Sequence, residues 1–121
     1  MSVLSAFNNI ILNLIDDCIL IFNNDVDFKV YKRGLEVIIK YNPKKIHTFF
    51  KEYIEIYRPY IEEQNEKFFI DNNFEEIKKY NNEEIFTVIN KIKNYWSTLD
   101  SNNKEKVWKY FIILTTLSDK L

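Results

Sequence analysis

Glycine, cysteine, histidine, alanine and proline are all scarce in this sequence of 121 residues. Gly34 is the only glycine, which excludes every glycine-rich phosphate loop. Cys18 is the only cysteine, so the chain forms no internal disulfide, and we expect an intracellular rather than a secreted protein. His47 is the only histidine, and one Cys with one His cannot complete a usual zinc site or a di-iron bundle site. The sequence therefore predicts no metal, no other cofactor and no catalytic residue.

Neither sign of charge dominates, since 17 Lys and Arg residues face 18 Asp and Glu residues for a formal net charge of −1. A partner such as nucleic acid or an acidic membrane would therefore need a local basic patch. The N-terminus has no basic stretch and no small-residue cleavage site, so we expect no signal peptide. Asp16 and Asp17 interrupt the apolar stretch 3–22, and each would cost roughly 2.5–3.5 kcal/mol at a bilayer centre. We predict a soluble protein without membrane contact.

Hydrophobic and aromatic residues are plentiful, at 46% and 17% of the chain, enough for the core of one domain over residues 1–121. Apolar residues recur at helical spacing almost throughout, and no segment shows the sustained alternation of a half-buried strand. The predicted helices lie near 4–22, 27–41, 43–57, 82–98 and 103–119, with further helical stretches at 60–70 and 74–80. The predicted fold class is all-α, a compact bundle of five to six helices joined by short Asn/Asp-rich turns.

Several polar residues predict where helices begin or end. Asn42, directly before Pro43, predicts the N-cap of the third helix. Pro59 should stop or kink that helix, because it has no N–H for the carbonyl of Glu55. Capping-box spacing occurs at Asn81-x-x-Glu84 and Asn102-x-x-Glu105. In the last two helices, we expect Trp96 and Trp108 to be largely buried.

The first helix carries two apolar rows. One row comprises Leu4, Phe7, Ile11, Leu14 and Cys18, and the other comprises Ile10, Ile15, Ile19 and Phe22. Such a helix is central in its bundle or shares one row with another chain. We favour the central arrangement but expect part of the second row to stay exposed, which makes that row a candidate surface for a protein partner or for self-association.

A second candidate partner surface surrounds Pro59. Tyrosine is a frequent anchor at protein interfaces, and an arginine beside a proline break seldom lies deep in a core. Tyr57, Arg58 and Tyr60 are therefore candidate partner-binding residues. The alternative is that these aromatic residues belong to a core stripe.

Positive charge accumulates around the start of the third helix. Lys44 and Lys45 fall in its first turn, where the helix dipole disfavours cations. Together with Lys40 and His47 they surround backbone N–H groups without helical partners, so these four residues form a candidate anion-binding site. The alternative is an ordinary surface of a lysine-rich protein, in keeping with a composition rich in Asn, Ile and Lys that is typical of an AT-rich genome.

The order of aromatic and proline positions along nearly the whole chain resembles a group of short uncharacterised helical proteins encoded by large DNA viruses of algae and protists. These positions are Phe7 to Leu14, Tyr31-Lys32, Asn42-Pro43, Phe50-x-x-Tyr53, Tyr60-Ile61, Phe68-Phe69, Trp96 and Trp108-Lys109-Tyr110. The resemblance implies a viral protein made in an infected cell, and it implies no catalytic residue.

Two functions follow as hypotheses. The first is a non-enzymatic helical protein-interaction module that serves as a viral accessory protein. The alternative is an accessory protein that binds nucleic acid or phosphate through the local lysine patch. An enzyme ranks last, because paired carboxylates such as Asp16-Asp17 and Glu62-Glu63 point about 100° apart on a helix and do not converge.

Overall fold

The structure, a computed structural model, describes residues 2–72 and 84–121, and within them all regular elements are helices. In chain order they are α1 (Val3–Ile21), α2 (Asp27–Tyr41), α3 (Lys45–Phe49), a π-helical turn (Phe50–Ile54), a 3₁₀ turn (Glu55–Tyr57), α4 (Arg58–Glu62), α5 (Glu66–Asp71), α6 (Glu84–Tyr95), a second 3₁₀ turn (Trp96–Thr98) and α7 (Ser101–Ser118). The predicted all-α bundle is confirmed. The predicted stretch 74–80 and the predicted cap at Asn81 lie outside the described residues.

Helix α1 lies at the centre, packed against α2, α3 and α7. It begins at Ser2, whose hydroxyl accepts a hydrogen bond from the backbone N–H of Ser5 at 3.0 Å. The side-chain amide of Asn8, buried on the same helix, donates to the carbonyl of Pro43 at 2.9 Å and fixes α1 against the start of α3. By length and composition α1 could also cross a membrane, a test that core helices of soluble proteins and signal sequences pass as well.

The helix predicted over 43–57 is present from Lys45 to Tyr57, but it is divided into α-helical, π-helical and 3₁₀ segments. Asn42 makes no side-chain cap, and α3 starts after Lys44, whose side chain does not cap it either. After α3 the helix widens into the π-helical turn and then tightens into the 3₁₀ turn. Pro59 falls in the first turn of α4, where its missing N–H removes no helical hydrogen bond.

The predicted stretch 60–70 is also divided, because Gln64 adopts a left-handed conformation with φ of 52° between α4 and α5. Asn65 caps α5 by accepting from the backbone N–H of Phe68 at 2.9 Å.

At the C-terminal end, α7 begins after Asp100, whose carboxylate accepts from the backbone N–H of Asn103 at 2.8 Å. The predicted capping box at Asn102 is therefore wrong by two residues. The burial predicted for both tryptophans is confirmed, since Trp96 is 1% and Trp108 is 6% exposed. Their rings meet edge to face with centroids 5.4 Å apart, joining the end of α6 to α7.

Candidate functional site

The apolar second row of α1 does not form an open surface. Ile15 is completely buried, so its prediction as a partner-binding residue is wrong for this arrangement of helices. Ile10, Ile19 and Phe22 are half-buried against the core, and the ring of Phe22 stacks on those of Phe28 and Tyr95. Neighbouring helices on three sides explain this burial, because they cover most of the circumference of α1.

The arginine of the candidate surface near Pro59 already forms ion pairs with carboxylates of the same chain. Both terminal N–H groups of Arg58 donate hydrogen bonds to the carboxylate of Asp119, at 2.6 and 3.0 Å, and one of them also donates to Glu55 at 2.7 Å. These carboxylates raise its pKa above the ordinary value and hold α4 against the end of α7. Tyr60 stacks on Phe68 with centroids 3.6 Å apart, and Tyr57 is half-buried beside the same ring.

The four residues predicted to bind an anion separate into two groups. Lys40, Lys44 and Lys45 are exposed at the junction of α2 and α3. His47 instead faces inward: its Nε2 lies 3.0 Å from the hydroxyl of Ser118, and its ring meets Phe7 edge to face. Burial, followed by the nearby charge of Lys51, lowers the pKa of His47, so the imidazole adds no positive charge to the lysines near neutral pH. His47 is therefore turned toward the core, and the anion-binding site at these four residues stays a prediction.

The contact between His47 and Ser118 was not expected from the sequence, because 71 residues separate them. A serine hydrogen-bonded to a histidine can be a nucleophile with its base. Ser118, however, is only 4% exposed in the last turn of α7, so its hydroxyl is closed to a substrate. Cys18 is similarly closed, because burial raises the pKa of its thiol to about 12.

A partly exposed lysine, Lys91, joins the turn after α1 to α6. Lys91 donates to Asp25 and, at 3.1 Å, to Asp27, while the hydroxyl of Tyr95 donates to Asp25 at 2.6 Å. The two donors lower the pKa of Asp25, with Lys91 making the larger contribution. An open cleft of about 580 Å³ lies beside this cluster. Because Asp25, Asp27, Lys91 and Tyr95 already bond to one another, the cluster explains the packing of the turn rather than the binding of a ligand.

The outward face of α2 exposes apolar side chains to solvent. Four exposed apolar side chains, three on α2 and one directly before it, form what we call the α2 stripe. Their exposed fractions are 67, 60, 56 and 76% for Val26, Val30, Val37 and Tyr41. At 100° per residue they fall within a sector of about 60°, along about 22 Å of helix. The buried residues Phe28 and Leu35 lie on the opposite side of the helix.

Three exposed cations run beside the α2 stripe and form what we call the basic rim: Lys29, Arg33 and Lys40. They occupy a sector of about 40° directly next to the stripe. Within residues 2–72 and 84–121, none of the three takes part in an ion pair. Glu36 is the one acidic residue on this side of the helix. The face as a whole therefore carries a surplus of positive charge.

The flanks of α2 fix which face remains outside. On one flank, Lys32 forms an ion pair with Asp16 of α1 at 2.7 Å. On the other, Gly34 lies so close to α6 that an added Cβ would meet the side-chain carboxyl carbon of Glu84 at 3.0 Å. The α2 stripe and the basic rim lie between these two contacts and face away from the core.

No protein family, curated protein or solved structure that was compared matches this chain. Among the described residues, no group of three His, Cys, Asp or Glu side chains could hold a metal ion.

Sequence analysis missed the α2 stripe, although a signal for it was present. Val26, Val30, Val37 and Tyr41 follow one another at spacings of four, seven and four residues, which places them on a single helical face. The face with Phe28 and Leu35 lies opposite, so α2 has two apolar faces, of which the structure buries one.

Proposed function

We propose that this protein is a non-enzymatic helical interaction module that holds a protein partner on the α2 stripe. The observation that carries the proposal is the exposure of Val26, Val30, Val37 and Tyr41 on one face of the helix. Contiguous apolar surface of this kind marks interaction sites, whereas single exposed apolar residues are ordinary. The viral accessory role implied by the sequence resemblance belongs to the same proposal and stays a prediction.

The polar clusters support a non-enzymatic role. Around Arg58 and around Lys91, donors and acceptors bond to one another across helices. The hydroxyl of Tyr110 likewise donates to Asp17, joining α7 to α1. In each case the geometry accounts for helix packing, and the reactive candidates Cys18 and Ser118 are buried.

Binding of nucleic acid or phosphate is the second candidate, favoured by the exposure of Lys40, Lys44 and Lys45 at one junction. Single-stranded nucleic acids are held by aromatic rings that stack on bases beside a positive groove. The α2 stripe offers one aromatic side chain, Tyr41, and three valines, which cannot stack. A protein partner therefore fits this surface better.

The test is affinity capture on the immobilised full chain, followed by calorimetry with each captured protein after purification. The stripe variant is Val30→Gln/Val37→Gln, and its control is Ile56→Gln/Ile70→Gln, which alters two exposed apolar residues elsewhere. We expect one purified protein to bind the wild type and the control equally and the stripe variant at least tenfold more weakly. Equal binding to all three, or binding of nucleic acid alone, would overturn the proposal.

A further inference from the structure

We propose that the occupant of the α2 stripe is an acidic amphipathic helix of another protein. This inference rests on the proposed function and adds the chemistry of the partner. It is carried by the position of the basic rim, three exposed cations beside an exposed apolar line on the same helix.

Apart from Glu36, the charged residues of α2 fall into two classes. Asp27 and Lys32 are used inside the fold, in ion pairs with Lys91 and Asp16. Lys29, Arg33 and Lys40 have no such partner among the described residues, and each remains exposed. A partner that brings carboxylates to these three positions would complement the charge without displacing any existing ion pair.

The two strips on α2 also define the shape of the partner. The apolar line and the basic rim run side by side over about 22 Å, or four turns of helix. A helix of that length can lay an apolar row along the valines while acidic residues on one edge reach the rim. The anchors on α2 recur at the spacing of helical turns, which an extended strand of the partner would not match.

The same charges argue against a second copy of this chain. In an antiparallel twofold pairing of two α2 stripes, the basic rims of both copies lie on the same side of the pair. If Val30 of one copy packs on Val37 of the other in antiparallel fashion, Lys29 of each copy comes beside Lys40 of its neighbour. Like charges placed together oppose association.

An anionic membrane also fits less well. Helices that lie in a membrane interface insert large side chains such as Trp, Phe and Leu. The α2 stripe instead presents three valines, which reach only a short distance beyond the backbone but allow a second helix to pack closely.

The experiment is a selection from a displayed library of helical peptides of about fifteen residues, the length that spans the stripe. Surface positions of the library are randomised among Glu, Lys, Gln and Leu, and the full-length chain is the target. We expect the selected peptides to combine a helical apolar row with Glu along one edge. Their binding should fall at least tenfold in the stripe variant.

The charge of the rim is tested with Lys29→Gln/Arg33→Gln/Lys40→Gln. Exposed ion pairs each contribute little, so we expect a combined loss of about tenfold in affinity and a weaker dependence on salt. The matched control is Lys106→Gln/Lys109→Gln/Lys120→Gln, which removes three exposed lysines elsewhere and should change affinity less than twofold.

The outcomes separate the two proposals. In one outcome, the selected peptides depend on the stripe but contain no excess of Glu, or bind the rim variant as tightly as the wild type. Either result would overturn the proposal of an acidic partner and leave the proposed docking surface in place. Failure to select any stripe-dependent peptide would overturn both proposals. The proposal of a protein partner would also be overturned if phosphatidylserine vesicles or single-stranded DNA bound more tightly than every selected peptide and this binding depended on the rim.

Discussion

Replacing Ile15 tests whether α1 is a core helix or one side of an interface. The side chain of Ile15 is completely buried in the single chain. Truncation to Ala should therefore cost about 2–5 kcal/mol, as for other large core residues. Ile15→Asp adds the burial of a carboxylate without a partner, which costs several kcal/mol more. Because a domain of this size is stable by about 5–15 kcal/mol, Ile15→Asp should unfold it.

The matched variant is Val30→Asp on the α2 stripe, where the side chain is 60% exposed. Exposed substitutions usually change stability by about 0.5 kcal/mol or less, so this protein should remain folded. Urea denaturation followed by circular dichroism measures both stabilities, and light scattering measures the mass. The reasoning is refuted if Ile15→Asp stays helical while a wild-type dimer becomes a monomer, because Ile15 would then lie between two chains.

Three further predictions concern stability. Trp108→Ala should cost about 3–5 kcal/mol, because the ring is buried against Trp96; an unchanged denaturation midpoint would show that this ring is outside the core. The pKa of Asp25 is lowered in the folded protein, so its contact with Lys91 stabilises the fold fully at any pH above the ordinary pKa of 3.8. This stabilisation is lost as the pH falls through the lower pKa of the folded state. Asp25→Asn should accordingly flatten the acid side of the melting-temperature profile, and an identical profile would contradict this. Gln64→Gly should stabilise by about 0.5–1 kcal/mol in thermal denaturation, since glycine adopts its left-handed conformation without strain; a loss would contradict the assigned backbone.

Periodicity was sufficient to predict α1 and α2 closely. In both helices, apolar residues recur every three or four positions and polar turns follow. The segment 43–57 has the same periodicity, but its periodicity did not predict the π-helical turn at Phe50–Ile54. Phe49 and Phe50 are adjacent and both buried, although neighbours on an α-helix point about 100° apart. Burial of both depends on which helices pack around them, and that information is not local.

The candidate site was predicted in its general character but not in its position. Sequence reasoning expected an exposed apolar row for a partner, and it assigned that row to Ile15 and its neighbours on α1. Whether the second row of α1 or the valine row of α2 stays outside depends on where α6 and α7 pack. The inward rotation of His47 has the same origin, because its partner Ser118 comes from the last helix.

The π-helical turn at Phe50–Ile54 has a consequence for insertions and deletions. Such a turn accommodates one residue more than an α-helical turn. The five residues of this turn advance and rotate the chain about as much as four residues of a regular α-helix. Loss of the exposed Lys51 would therefore restore a regular helix and leave Arg58 facing Asp119, so that α4 keeps its attachment to α7. The same deletion within a regular helix such as α1 would rotate every later residue by about 100°. The π-helical turn is thus a place where a codon can be lost without changing the phase between the segments on either side.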